Sequence, residues 1–127
     1  MRYPFIAGNW KMYKTIAEAR AFAEEFKKIY QPSDVRVAVC APYPQLPFLV
    51  EAFRGTGIGV GAQNVHYEAE GAFTGEISIP MLEEIGVDYC IVGHSERRQY
   101  FNESDDTVNR KVKALLETRI VPIVCVG

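Results

Sequence analysis

The chain has 127 residues, a formal net charge of −2 at pH 7 and a sequence pI near 5.7. This length suits one domain with its own core, and the even mixing of acids and bases argues against a nucleic-acid partner. The first residues lack the apolar run of a signal peptide and no segment reaches membrane-spanning length, so we expect a cytoplasmic protein that binds no membrane.

Five short apolar runs along the chain predict five β-strands. The runs are apolar almost throughout, which is typical of parallel strands covered on both faces. They are Phe5–Gly8, Val35–Ala41, Ile58–Ala62, Val87–Val92 and Ile120–Val126. Cys40, Cys90 and Cys125 each fall inside one of these runs. Because their spacing suits neither a disulfide framework nor a metal site, we expect buried, reduced thiols.

Helical segments alternate with these strands and begin at capping residues. Thr15 and Glu18 match a capping box, and Pro44–Phe53 predicts a second helix. Ser78 caps a third helix, which Gly86 closes. The helix after Thr15 has one apolar face, which comprises Ala19, Phe22, Ala23, Phe26 and Ile29.

Ser104 is expected to cap a longer fourth helix before the last strand. Its pattern predicts which side chains point inward, namely Val108, Val112, Leu115 and Leu116, and which point outward, namely Lys111, Lys113 and Glu117. The resulting alternation of strands and helices predicts a parallel sheet with right-handed crossovers. Two architectures fit, an open doubly wound sheet and part of an eight-stranded barrel.

The end of the fourth run carries the densest group of functional side chains. His94, Ser95 and Glu96 follow Gly93 directly, and two arginines come next. Polar side chains just past a buried parallel strand face the functional edge of the sheet. If Ser95 begins a short helix, the positive helix end favours a neutral His94 ring that donates a hydrogen bond to a carbonyl oxygen. The alternative is a histidine satisfied by loop backbone.

Polar groups also follow the first and third runs. Asn9 and Lys11 follow the first, and a lysine there suits a phosphate or an oxyanion, although a single lysine is more often a surface residue. The loop at 63–76 contains Tyr67 and Phe73, and exposed aromatic rings on a long loop suggest a partner surface. His66 in this loop is interpreted as structural or exposed.

Four motifs, taken together, resemble the triosephosphate isomerase family. They occur in the order and spacing of that family, and are Ala7–Lys11, Gly61–Asn64, Gly71–Glu76 and Ile91–Arg98. The resemblance runs from about Tyr3 to Gly127 and implies an α/β fold, a partial (β/α)8 barrel with parallel strands. Residues 1–127 would then form a single incomplete barrel domain of about four βα units plus strand five.

The resemblance implies an isomerase that interconverts dihydroxyacetone phosphate and glyceraldehyde 3-phosphate through an enediolate, without cofactor or metal. Asn9 and Lys11 would bind the substrate, and Lys11 would oppose the phosphate and enediolate charge. His94 would polarise the carbonyl, and triosephosphate isomerase is itself the known example of a neutral histidine in this role. Glu96 matches the carboxylate of the family motif, and Ser95 would help to orient the site.

The resemblance also implies a homodimer, because the 63–76 loop is similar to the dimerisation loop of the family. Thr74 would reach the active site of the neighbouring subunit, and Tyr13 would lie near the pocket where the loop docks. We assign Gln63 and Asn64 to the same interface.

The general base of the family, a glutamate after strand six, has no counterpart in these 127 residues, and neither have the lid and the later phosphate loops. We therefore expect the 127 residues alone to be inactive and to show no binding of a phosphorylated enediolate analogue, with a weak phosphate site at Lys11 as a less favoured alternative. The alternative is a non-catalytic half-barrel scaffold. Its open edges would let it self-associate or complement a separate C-terminal half.

Overall fold

The computed structural model describes residues 2–127, and its framework is one parallel β-sheet. The strands are β1 (Phe5–Asn9), β2 (Arg36–Ala41), β3 (Ile58–Ala62), β4 (Tyr89–Val92) and β5 (Val121–Val124). All five predicted strands are therefore present, and their ends differ from the prediction by no more than two residues.

Helices connect successive strands. They are α1 (Ile16–Ile29), α2 (Leu46–Ala52), α3 (Ile79–Ile85), α4 (Ser95–Tyr100) and α5 (Asp105–Leu116). The predicted helix at Pro44–Phe53 is divided, because a short 3-10 turn at Tyr43–Gln45 precedes α2. Within residues 2–127, no helix combines the length and the apolar character needed to cross a membrane.

The predicted capping residues begin their helices. At α1 the amide of Glu18 donates to Thr15 Oγ1 (3.2 Å), and the amide of Thr15 donates to Glu18 Oε1 (3.0 Å). The hydrogen bonds from Thr15 lower the pKa of the Glu18 carboxyl. Ser78 and Ser104 cap α3 and α5 through their hydroxyl groups. Short polar side chains thus determine where these helices begin.

The sheet curls, and the strand order decides between the two predicted architectures. The strands lie in the order β1-β2-β3-β4-β5, whereas a doubly wound sheet reverses its order partway. Phe5 on β1 stacks on Tyr89 of β4 across the concave face, with ring centroids 4.8 Å apart. A Cβ atom on Gly59 of β3 would lie 2.7 Å from the Tyr89 ring. The described chain is therefore part of a barrel, as the resemblance implied.

The main core lies between the helices and the convex face of the sheet. It is made of fully buried aliphatic side chains, among them Leu46, Leu49, Val60, Leu82, Val92 and Leu115. The predicted inward face of α1 is correct except at Ile29, which is exposed. Tyr30 packs on Phe26 (centroids 5.8 Å) and covers the end of the face that Ile29 was expected to cover.

The outward prediction for Lys111 is wrong, because its side chain is buried and is only 5% exposed. Its Nζ donates to Glu103 Oε1 (2.9 Å) and to Asn64 Oδ1 (2.9 Å), so the ammonium group is paired inside the protein. The inward prediction for Leu116 is also wrong, because it is 66% exposed. Leu115 fills the core, and the next residue lies about 100° further around the helix.

The cysteine prediction holds for two of the three thiols. Cys40 and Cys90 are free and buried, and burial raises their pKa values to about 11 and about 12. Both are therefore protonated at neutral pH and act as small apolar side chains. Cys125 departs from the prediction, since it follows β5 and is only half-buried.

Lys111→Ala is expected to lower the free energy of unfolding by about 3–5 kcal/mol, because it leaves the Glu103 carboxylate buried without its partner. Denaturant unfolding measures this loss. Lys113→Ala changes an exposed lysine of the same helix and is expected to shift stability by less than about 0.5 kcal/mol. Equal losses in the two variants would contradict a structural role for the buried ion pair.

Candidate active site

A cavity of about 330 Å³ opens at the carboxyl end of the sheet. The segments that follow β1, β2, β3 and β4 form its walls. Of the predicted site residues, the fold brings six to this cavity, namely Asn9, Lys11, Gln63, Asn64, His94 and Glu96. Parallel strands explain this convergence, because their carboxyl ends lie at one edge of the sheet.

His94 caps α4 and has a defined donor. Its Nδ1 accepts a hydrogen bond from the Glu96 amide at 3.1 Å, while Glu96 Oε1 lies farther from Nδ1, at 3.5 Å. A ring nitrogen that accepts an amide hydrogen carries no proton, so the hydrogen of the neutral ring is on Nε2. The predicted short helix after His94 is confirmed. Of the two ring nitrogens, only Nδ1 forms a hydrogen bond with the backbone.

Lys11 and Glu96 form an ion pair at the edge of the cavity. Lys11 Nζ lies 3.0 Å from Glu96 Oε2, and both side chains are about half exposed. The other Glu96 oxygen faces the His94 ring. Glu96 therefore keeps the lysine ammonium close to the histidine, and its carboxylate is already engaged.

Asn9 and Gln63 form the floor between β1 and β3. Asn9 Oδ1 accepts hydrogen bonds from the Lys11 amide and from Gln63 Nε2, both at 3.0 Å. Gln63 Nε2 also donates to the Lys11 carbonyl at 2.9 Å. From the sequence, Gln63 was assigned to the interface, and its contact with Lys11 was not predicted. Gln63 directly follows β3, a position typical of site residues.

Asn64 and Tyr43 occupy the wall after β2 and β3. The Asn64 amide oxygen accepts from the buried Lys111, and the Asn64 carbonyl accepts from the Tyr43 hydroxyl at 2.7 Å. Burial raises the pKa of Tyr43, so its hydroxyl remains protonated. Tyr43 was not predicted from the sequence. It lies just past the end of β2, and polar residues in that position after β1, β3 and β4 were recognised as site candidates.

Glu103 connects this wall to α4 and α5. Burial alone would raise the pKa of the Glu103 carboxyl, but hydrogen bonds from Thr107 and Lys111 and the charge of Arg97 lower it below its ordinary value. Thr107 Oγ1 donates to Glu103 Oε2 at 2.5 Å, and Arg97 Nε lies 3.8 Å from Glu103 Oε1. The carboxylate is therefore held ionised by two hydrogen-bond donors, Thr107 and Lys111, and by the nearby charge of Arg97. Its partners lie within eight residues in sequence, but Arg97 is on α4 whereas Thr107 and Lys111 are on α5, so no single helix pattern indicated the cluster.

The predicted interface residues Tyr13 and Thr74 are exposed and do not line the cavity. Thr74 lies in the 63–76 loop, in which His66 stacks on both Tyr67 and Phe73, with ring centroids 4.4 Å apart in each pair. The structural interpretation of His66 is therefore correct. Ser95 is the exposed first residue of α4 and lies outside the cavity wall, so its orienting role stays a prediction.

Within residues 2–127, no group of three or more His, Cys, Asp or Glu side chains is arranged to hold a metal ion. The donors at the cavity are instead an imidazole N–H, an ammonium group and side-chain amides. Such a set suits an anionic ligand that carries a carbonyl oxygen.

The sequence of this chain is similar to those of known proteins over its whole length. The family model described as Triosephosphate isomerase matches residues 4–127. Proteins named triosephosphate isomerase are 54% identical in Alkaliphilus metalliredigens and 55% identical in Clostridium botulinum strain Loch Maree, each over 127 residues. The Solibacter usitatus protein of the same name is 56% identical over 128 residues.

Each of these matches covers 100% of this chain and 51% of the relative, so the chain spans about half the length of the curated relatives it matches. With a family model that matches nearly every residue and a barrel-type sheet, the chain belongs to the triosephosphate isomerase family.

Proposed function

We propose that this chain contributes the carbonyl-polarising and anion-binding part of a triosephosphate isomerase site. The reaction would interconvert dihydroxyacetone phosphate and glyceraldehyde 3-phosphate, a step of glycolysis and gluconeogenesis, without cofactor or metal. One observation carries the proposal: the His94 ring and the Lys11 ammonium group border the same cavity, and Glu96 contacts both. The buried free thiols of Cys40 and Cys90 support a reducing, cytoplasmic location.

His94 would act as the electrophile. Its Nε2–H would donate to the substrate carbonyl oxygen and stabilise the negative charge that develops there when a proton leaves the neighbouring carbon. Lys11 would oppose the enediolate and phosphate charges, and the free side-chain N–H groups of Asn9 would bind the substrate. Ser95 would support the orientation of α4.

Proton abstraction requires a base that these residues do not offer. Among residues 2–127, Glu96 is the only carboxylate that lines the cavity, and it is ion-paired with Lys11 at 3.0 Å. We therefore propose that the 127-residue chain is inactive when tested alone, and that the base is the glutamate that the family carries after strand six.

Isomerase assays test this division of roles. The 127-residue chain alone is expected to show no turnover, whereas the chain mixed with or joined to the C-terminal half of the Alkaliphilus metalliredigens relative is expected to be active. In the active form, His94→Gln is expected to lower kcat by about 10²–10³-fold, because one electrophilic donor is misplaced.

Gln99→Ala is the matched control, since Gln99 is an exposed residue of the same helix, and it is expected to keep full activity. Turnover by the isolated chain that disappears in His94→Gln would refute the proposed inactivity. Unchanged turnover of His94→Gln in the active form would refute the electrophile assignment.

We also propose that the protein is a homodimer in which the 63–76 loop of each chain docks beside the cavity of the other. Phe73 at the loop tip is exposed, and the rim of the cavity exposes Met12 and Phe101. A reciprocal contact would bury all three apolar side chains and bring Thr74 to the neighbouring cavity. Gln63 and Asn64 would support this interface from inside, and Tyr13 would border it.

The second candidate is the half-barrel scaffold, and the sheet edges favour it. In the described chain, β1 pairs only with β2 and β5 only with β4. Ile6 is 63% exposed and Val121 is 52% exposed, so both edge strands present apolar side chains to solvent. Such edges can pair with a second copy or with a separate C-terminal half.

Light scattering on the 127-residue chain separates the two modes of association. We expect a dimer that Thr74→Arg converts to monomer and that Ile6→Lys leaves intact, because the arginine would clash at the docking site while the edge strand stays outside the contact. Dissociation by Ile6→Lys but not by Thr74→Arg would favour the scaffold. A monomer at high concentration would contradict both.

A further inference from the structure

The backbone of Lys11 adopts a conformation that lysine rarely takes. Its φ angle is +56°, in the left-handed region that disfavours side chains with a Cβ atom. Lys14, three residues later in the same loop, has φ +77°. A residue persists in this region only when its surroundings hold it there. The contacts around Lys11 therefore determine where its ammonium group lies.

Both backbone polar groups of Lys11 are bound by side chains. Its amide donates to Asn9 Oδ1 at 3.0 Å, and its carbonyl accepts from Gln63 Nε2 at 2.9 Å. Gln63 Nε2 also donates to Asn9 Oδ1 at 3.0 Å. The Gln63 amide group therefore binds both the Lys11 carbonyl and the side chain that accepts from the Lys11 amide. The Asn9 contact is local, whereas Gln63 connects the loop to the end of β3, 52 residues away in sequence.

We infer that Gln63 is a positioning residue that fixes the Lys11 backbone, and through it the ammonium group, at the edge of the cavity. The consequence for turnover rests on the isomerase function proposed above, but the positioning itself does not. The Lys11–Glu96 contact at 3.0 Å depends on where the Lys11 backbone stands. Loss of the Gln63 amide frees the Lys11 carbonyl and leaves Asn9 Oδ1 bound to the Lys11 amide alone, so the loop gains other conformations.

A matched control lies in the same loop. Gln45 Nε2 donates to the Lys14 carbonyl, as Gln63 Nε2 does to the Lys11 carbonyl. Lys14 does not line the cavity, and its ammonium group lies over the Trp10 ring, 5.5 Å from the centroid. Removing the Gln45 amide therefore disturbs an equivalent anchor at a lysine that lies away from the cavity.

Acetylation of lysine side chains, followed residue by residue by mass spectrometry on the 127-residue chain, tests the positioning. Gln63→Met keeps the size of the side chain but has no N–H donor. We expect it to raise the labelling rate of Lys11 about threefold relative to that of the exposed Lys27, because a looser backbone releases the amine from its ion pair with Glu96. Gln45→Met is expected to leave Lys11 unchanged.

An unchanged rate at Lys11 in Gln63→Met, or an equal rise at every lysine, would overturn the inference. If Gln63→Met fails to fold, Gln63→Glu decides, because an ionised carboxylate repels the three oxygens that Gln63 Nε2 contacts, namely Asn9 Oδ1 and the carbonyl oxygens of Lys11 and Cys40. Failure of both variants to fold, while Gln45→Met folds, would also overturn it, since Gln63 would then be a folding residue.

The active form made with the C-terminal half of the relative gives a second readout. Gln63→Met is expected to lower kcat/KM about tenfold, because a misplaced ammonium group stabilises the transition state less. Gln45→Met is expected to change it by less than about twofold. Absence of turnover in the unsubstituted protein would count against the proposed function, whereas the acetylation rates decide the role of Gln63 independently.

Discussion

The candidate site depends on the curl of the sheet, and one aromatic contact spans the concave face that the curl creates. β1 and β4 are separated by two strands, which in a flat sheet would put them about 14 Å apart. The ring contact between Phe5 and Tyr89 brings their inner side chains to 4.8 Å. Glycine at position 59 leaves room for the Tyr89 ring. Without this closure, the loops that carry Lys11 and His94 would diverge.

A buried ion pair backs the part of the cavity wall that Asn64 forms. Glu103 and Lys111 lie behind Asn64, and their ion pair is buried with side-chain partners for both charges. An arrangement of this kind is costly to desolvate, and it is therefore a weak source of net stability. Its main effect is on orientation. The hydrogen bond from Lys111 fixes the Asn64 side chain, and the adjacent Gln63 is positioned to bind the Lys11 carbonyl in the loop after β1.

Local pattern predicted the elements well, because strands, caps and helix faces are set by nearby residues. The capping box at Thr15 and the apolar run of β3 needed no partner from elsewhere in the chain. Lys111 shows where this reasoning stops. Its position on α5 is compatible with either face of the helix, and only Glu103 and Asn64, brought together by folding, decide that it points inward. The contact of Gln63 with Lys11 was hidden for the same reason.

Motif spacing predicted that Asn9, Lys11, His94 and Glu96 would meet at one site, but not how their charges balance. The Lys11 ammonium and the Glu96 carboxylate neutralise one another at 3.0 Å, and the Nδ1 atom of His94 is held by a backbone amide. A second positive charge on the histidine would make the site attract any small anion. In the proposed function, an N–H donor at Nε2 of His94 beside the paired lysine would instead select a carbonyl oxygen by its position. In the proposed function, Lys11 would oppose the phosphate charge of the substrate, and the N–H donor would stand where further negative charge develops during the reaction.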